Sequence, residues 1–158
     1  MNIVTDKIIE TLRDGLESRG IRTYRIGNPL DFAKSELPMV YVQALEDRTT
    51  QLDNVTDEKE MDFQIGIIID PAQEFGKSEK GVKEVPGDRF LMEVTDGRNA
   101  DGTPMTNTIA HLLRDSWTLE GTVFYQTHRT MYGVRETATA QYKEVHFLIT
   151  ARAAVARV

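Results

Sequence analysis

The stretch EMDFQIGIII, residues 60–69, alternates apolar and polar side chains over most of its length. In an extended chain successive side chains point to opposite faces, so this alternation predicts a β-strand with one buried face. The side chains assigned to that buried face are Met61, Phe63, Ile65, Ile67 and Ile69. Asp70-Pro71 follows and ends the strand, because proline has no amide hydrogen to donate within a sheet.

Four further segments are predicted to be strands from their content of β-forming residues. Upstream, Arg22–Ile26 is short, and Met39–Leu45 is partly apolar on both faces, as expected for a strand inside the sheet. Downstream, two long runs at residues 122–134 and 138–156 are joined by a turn predicted around Arg135-Glu136. Together these segments predict one sheet of about five strands.

Two main helices are predicted from apolar side chains that recur at helical spacing. The first covers Val4–Arg19, and the second covers Pro104–Ser116, where Thr103 acts as the capping residue. Between residues 70 and 104 the many glycines and prolines predict a long loop insert, with a short ordered piece at Phe90–Val94. We therefore expect residues 1–158 to form a single α+β domain, with a mainly antiparallel sheet and both helices packed on one face.

The composition narrows the classes of function. The 158 residues include 19 Lys and Arg against 25 Asp and Glu, a net charge of -6, which argues against broad binding to the phosphate backbone of nucleic acids. The absence of cysteine excludes disulfide bonds, thiolate zinc sites and a cysteine nucleophile. Charged residues recur through the first twenty positions, so neither a signal peptide nor a membrane span is expected there.

No segment carries a strong catalytic signature. Gly76-Lys77-Ser78 is similar to the end of a phosphate-binding loop, but Pro71 occupies the position of the first glycine that such a loop requires. Asn99, Asp101 and Gly102 match three positions of a calcium-binding loop whose first and last ligands are missing. The histidines have no metal-ligand spacing; they are His111, His128 and His146. We therefore predict no catalytic residue, no cofactor and no metal site.

The charges are distributed unevenly along the chain. Residues 1–120 carry 14 basic and 23 acidic side chains, whereas residues 121–158 carry 5 basic and 2 acidic ones. A protein that is acidic in one place and basic in another is complementary to a copy of itself or to a charged partner, although a sheet with one basic end would have the same distribution. The residues predicted to mediate self-association are Glu46, Asp47, Asp57 and Glu58 on the acidic side and Arg129, Arg135 and Arg152 on the basic side.

The order of the elements resembles that of a known family. The segments that carry the likeness are IIETLRDGLESRGI (8–21), LPMVYVQALEDRTTQ (37–51), KEMDFQIGIIID (59–70) and YKEVHFLITAR (142–152). A helix, a proline-containing loop, two strands with an acidic connector, a second helix and two long closing strands resemble the tail terminator proteins of tailed bacteriophages. The resemblance covers most of the chain at the level of element order, without a signature motif.

The resemblance implies a structural virion protein with no catalytic residues. Its subunits would form a ring, usually a hexamer, at the head-proximal end of the tail tube, where the ring ends tube polymerisation and joins the tail to the neck. The expected partners are other copies of the chain, the tail tube protein and the neck or connector protein, while DNA passes through the lumen without specific binding. No membrane partner is expected, and the protein would assemble in the host cytoplasm into the virion.

Two alternatives remain open at this point. The first is a neck or head-completion protein that contacts the connector. The second, from another functional class, is a small enzyme or ligand-binding module that uses Asp96, Asp101 and the histidines around a metal. In the ring interpretation, loops around Thr49–Asp57 and Asp70–Pro104 are expected to become ordered against the tube or the neck.

Overall fold

The computed structural model describes residues 2–72, 87–115 and 124–156. These residues form five strands and three α-helices. The strands are β1 (Thr23–Ile26), β2 (Met39–Gln51), β3 (Thr56–Ile69), β4 (Phe124–Glu136) and β5 (Gln141–Ala156). The helices are α1 (Asn2–Gly15), α2 (Asp88–Asp96) and α3 (Ile109–Asp115). None of the helices in these ranges is long and apolar enough to cross a membrane.

The strands form one mixed sheet in the order β1-β2-β3-β5-β4. Only β1 and β2 are parallel, and the other three neighbouring pairs are antiparallel. The prediction of an α+β fold with a mainly antiparallel sheet of about five strands is therefore confirmed. All five apolar side chains predicted to be buried on β3 are buried.

All three helices pack against one side of the sheet, which we call the helix face. The main core lies between them and includes Ile8, Leu12, Phe63, Ile65, Ile67, Leu91, Val94, Ile109, Leu113, Val145 and Phe147. Among the described residues, the opposite side of the sheet, which we call the open face, carries no α-helix. The loop after β1 covers one end of the open face, where Phe32 packs edge-on against Tyr142 with ring centroids 5.1 Å apart.

The first helix ends earlier than predicted. After α1 the chain forms a 3-10 turn at Glu17–Arg19, and Gly20 then adopts a left-handed conformation with φ of 74°, which suits glycine because it has no Cβ. The Arg19 guanidinium donates hydrogen bonds to the backbone oxygen and the side chain of Asn107, at 3.0 and 2.9 Å. Arg19 therefore joins the 3-10 turn after α1 to the segment that precedes α3.

The second predicted helix begins five residues later than expected, so Pro104 as its first residue was wrong. Pro104 instead forms an isolated β-bridge with Arg98, and Asp101 accepts hydrogen bonds from the backbone and hydroxyl of Thr103. The hydroxyl of Thr108 accepts a hydrogen bond from the backbone N–H of His111, which makes Thr108 the capping residue.

Three loop predictions also need correction. Thr49–Asp57 is mostly the ends of β2 and β3, so the acidic connector is a β-hairpin. The turn between β4 and β5 lies at residues 137–140, because Arg135 and Glu136 still pair with β5. The insert at 70–104 contains α2, a regular helix that spans the short ordered piece predicted at Phe90–Val94, whereas residues 73–86 lie outside the described part of the chain.

Candidate functional site

Two polar clusters lie on the open face, one near the centre of the sheet and one towards the turn between β2 and β3. The pairing of the strands places the central cluster on this face. Tyr41 on β2 is directly opposite Gly66 on β3, and Gly66 is directly opposite His146 on β5. In antiparallel strands directly opposite residues share a face. The candidate functional site is this face together with the two edges of the sheet.

The central cluster joins four strands around a buried tyrosine. The Tyr41 hydroxyl donates to Glu144 Oε1 at 2.6 Å and accepts from Gln64 Nε2 at 2.9 Å. The Arg135 guanidinium makes a bidentate pair with the same carboxylate, with Nε and Nη2 at 2.8 and 2.7 Å from its two oxygens. His146 Nε2 lies 3.1 Å from Glu144 Oε1, without the alignment of a hydrogen bond.

Arg135 also fixes the loop that follows β1. Its guanidinium donates to the Asn28 side chain at 2.6 Å and to the Pro29 backbone oxygen at 2.8 Å. The Arg135 side chain is only 18% exposed. We conclude that Arg135, which the sequence predicted for self-association, ties the open face to this loop within one subunit.

The central cluster keeps a buried carboxylate charged. Burial alone would raise the pKa of Glu144, but the hydrogen bonds from Arg135 and Tyr41 outweigh it and hold that pKa below its usual range. Burial, followed by the neighbouring Glu144 carboxylate, raises the pKa of Tyr41. Tyr41 therefore acts as a hydrogen-bond donor to a charged acceptor at neutral pH.

The outer ends of β2 and β3 form a hairpin, which we call the arm (Ala44–Gln51 and Thr56–Glu60); its β2 side is mostly exposed, and its β3 side is half-buried and paired with β5. Side chains on both faces of β2 are exposed or half-buried along this stretch. At the tip, the Asp53 carboxylate accepts hydrogen bonds from the backbone N–H groups of Val55 and Thr56, both at 2.8 Å, which fixes a tight turn.

Ion pairs connect the strands of the arm on its open face. The Arg48 guanidinium lies 2.7 Å from Glu46, 2.5 Å from Glu60 and 3.0 Å from Asp62. Arg152 on β5 lies 3.1 Å from Glu60 and 3.9 Å from Glu58. The Arg48 hydrogen bond is the main cause that lowers the pKa values of Glu60 and Asp62. Several charges in one network stabilise the shape of the arm better than isolated surface pairs would.

The structure distributes the predicted self-association residues over three places. Glu46, Asp47, Asp57 and Glu58 all lie on the arm, in β2 and β3. Arg152 lies beside Glu58 and Glu60 within the same subunit, and Arg135 is held by Glu144. Arg129 on β4 is exposed and forms no ion pair with any residue in the described ranges. Of the basic set, Arg129 is therefore best placed to meet a neighbouring subunit.

The histidines do not converge. His128 stacks on Phe147 on the helix face, with ring centroids 4.6 Å apart, and burial lowers its pKa. His146 lies on the open face, and His111 lies on α3. Within residues 2–72, 87–115 and 124–156, no group of three His, Asp or Glu side chains could hold a metal ion. Gly76-Lys77-Ser78 lies outside these ranges.

The site residues that sequence reasoning missed are Tyr41, Glu144 and Arg48. The useful signal was an acidic residue within a largely buried strand, since Glu144 lies close to Tyr142 and Val145, which are both buried on β5. A buried carboxylate requires a charged or hydrogen-bonding partner. The identity of that partner depends on strand order, which the sequence pattern does not specify.

No family model matches the chain, and no curated protein sequence matches it. The functional argument therefore rests on the geometry of the open face, the arm and the sheet edges.

Proposed function

We propose that this chain is a structural ring protein that caps the head-proximal end of a phage tail tube, ends tube polymerisation and joins the tail to the neck. The proposal rests on the element order described above and on one structural observation. The arm extends with exposed side chains on both faces of β2, yet an ion-pair network stabilises it. A subunit core does not require such an arm, whereas contact between subunits does.

The asymmetry of the subunit supports an assembly with two different ends. All three helices lie on the helix face, while the open face carries charged side chains, among them Arg48, Glu60 and Arg152. A closed ring of identical subunits uses a heterologous contact, in which two different surfaces of the chain meet. Such a ring presents one surface to the tube and another to the neck or connector, and the proposal assigns no catalysis to the chain.

The charge of the chain suits a ring through which DNA passes. A net charge of -6 opposes adhesion to the phosphate backbone, because binding of that kind requires clusters of Lys and Arg. The proposal therefore includes DNA in the lumen only as a passing strand without specific contacts.

Light scattering coupled to size-exclusion chromatography tests the proposal on the purified full chain, with and without tail-tube ends. We expect a closed oligomer, a hexamer by resemblance, either free or bound at one end of each tube. A strict monomer that also fails to bind tube ends would overturn the proposal. Negative-stain imaging of labelled particles separates a tail terminator from a neck protein by the position of the label along the particle axis.

A further inference from the structure

The outer edge of β2 is only partly occupied. β1 pairs with β2 from Met39 to Val42, and the last backbone hydrogen bond on that side runs from Gly27 N–H to Val42 O. From Gln43 to Gln51, no described residue pairs with β2 on this side. An unpaired edge of this length presents backbone donors and acceptors that can bind another strand.

The other edge of the sheet is β4. It pairs with β5 on its inner side, and no described segment pairs with its outer side. Edge strands are usually protected by charge, proline or short length. β4 carries the exposed charges of Arg129 and Glu136, but it also exposes three large apolar side chains, Met131, Tyr132 and Val134, at 48%, 56% and 63%. The edge therefore has the properties of a strand that pairs with a partner.

The two edges match in direction. β4 runs antiparallel to β5, β5 antiparallel to β3, and β3 antiparallel to β2, so β4 and β2 of one subunit point in opposite directions. Two copies placed side by side in the same orientation would therefore bring β4 of one antiparallel to β2 of the next. Antiparallel pairing requires no further rotation of either copy.

Charge and side-chain alternation select a register. Arg129 is opposite Leu148 on the open face, and Glu46 is opposite Asp62 on the same face. Leu45 on β2 and Gln126 on β4 are bulged and have no cross-strand partner. With these two residues left out, a register that places Arg129 opposite Glu46 aligns residues 124–131 with residues 43–50 and matches the faces throughout. In this register Arg129, which is exposed and has no ion pair to any described residue, meets Glu46 near the base of the neighbouring arm, where Glu46 also contacts Arg48. Opposite charges that face each other across strands stabilise the pairing.

We propose that subunits join by sheet extension, with residues 124–131 of one copy adding as a strand to residues 43–50 of the next. This inference rests on the proposed function, since it names the contact that closes the ring. The contact is heterologous, so repeating it generates a ring in which the sheet continues from subunit to subunit.

Disulfide trapping tests the contact, because the chain contains no cysteine of its own. The double variant Glu46→Cys, Arg129→Cys places one thiol on each edge. Within one subunit the two positions are three strand spacings apart, about 14 Å, whereas a disulfide needs Cα atoms within roughly 7 Å. Any disulfide between them must therefore join two copies. A second double variant, Glu46→Cys with Met131→Cys, tests a pairing register shifted by two residues, because Met131 lies on the same face as Arg129.

The matched control is Asp47→Cys with Arg129→Cys, because Asp47 is opposite Met61 and so lies on the helix face. After mild oxidation we expect a ladder of cross-linked species from a face-matched pair, with about tenfold more cross-linking than in the control. Light scattering of reduced samples measures the size of the oligomer without depending on the disulfide. A closed oligomer with no ladder from either face-matched pair would overturn the sheet contact alone, whereas a strict monomer that also fails to bind tube ends would overturn the ring itself.

Discussion

The ring of Tyr41 lies so close to the backbone of Gly66 that a Cβ at Gly66 would stand 2.1 Å from two ring carbons. The two residues are direct cross-strand partners on β2 and β3. Because glycine has no side chain, the tyrosine lies across β3 and its hydroxyl reaches Glu144 on β5. This single close approach allows Tyr41 to connect β2, β3 and β5 through its hydroxyl.

Replacing Gly66 with alanine should displace Tyr41 and destabilise the protein. We expect Gly66→Ala to lower the free energy of unfolding by about 1–3 kcal/mol, the usual cost of overpacking a core. Gly133→Ala is the matched control, because a Cβ at Gly133 meets nothing within 4 Å. Urea unfolding measures both, and equal effects from the two substitutions would contradict the assigned role of Gly66.

Loss of Arg135 should leave a buried carboxylate without its cation. Glu144 is only 7% exposed, so Arg135→Met is expected to cost about 3 kcal/mol at pH 7, at the low end for a broken buried pair because Arg135 keeps some exposure. Arg129→Met on the same strand and face serves as the control and should change stability by less than about 0.5 kcal/mol. A small effect at both positions would argue against the tethering role of Arg135.

The same cluster predicts a definite dependence of stability on pH. Folding lowers the pKa of Glu144, so its contribution to stability is present above the pKa of the unfolded chain and is lost as pH falls through the folded value. The gap in unfolding free energy between the original protein and Arg135→Met should therefore narrow from pH 7 to pH 3, where a protonated Glu144 no longer needs a cation. A gap that stays constant over this range would contradict the account.

Charge reversal should weaken assembly in a salt-dependent manner. We expect Arg129→Glu and Arg152→Glu to lower the fraction of assembled protein, and added salt to reduce the difference from the original protein. The effect of Arg129→Glu is easier to interpret, because Arg152→Glu also places a carboxylate beside Glu58 and Glu60 within the subunit. The mass distribution from light scattering at two salt concentrations measures this effect.

A reciprocal change tests the partner of Arg129. Arg129→Glu combined with Glu46→Lys should recover much of the assembly that Arg129→Glu alone loses. Arg13→Glu makes the same charge change on the exposed surface of α1 and should leave the assembled fraction unchanged. Failure of the combined variant to recover assembly would exclude the Glu46–Arg129 pairing.

A lysine at the edge of β4 should block strand pairing without harming the fold. Met131→Lys places a charge on the apolar edge, and we expect it to reduce assembly at an unchanged unfolding midpoint. Met92→Lys on α2 is the matched control, since Met92 is 52% exposed and Met131 is 48% exposed. Equal assembly of the two variants would count against β4 as a contact surface.

Much of the fold could be predicted because its strands alternate strongly. Met61, Phe63 and Ile65 specified the buried face of β3, and the structure agrees. The first residue of a helix was less predictable where two neighbouring capping signals compete. Thr103-Pro104 and Thr108 are both plausible helix starts, and the hydrogen bonds of the Asp101–Thr103 turn favour the later one.

The candidate site was less predictable than the fold, since it depends on strand order. Arg135 and Glu144 are both on long strands, but only the β-hairpin between β4 and β5 brings them together. The acidic run from Glu46 onward does not reveal its partners within the chain, because the pairing of Arg48 with Glu60 across two strands is invisible in a linear pattern. The unpaired edges likewise emerge only from the topology of the sheet.

The most direct test of the central claim is negative-stain imaging of the purified full chain mixed with tail tubes. The account predicts closed rings of one size, with subunits repeated in a single orientation, seated at one end of each tube. Isolated single subunits in every field, with both ends of every tube bare, would contradict it.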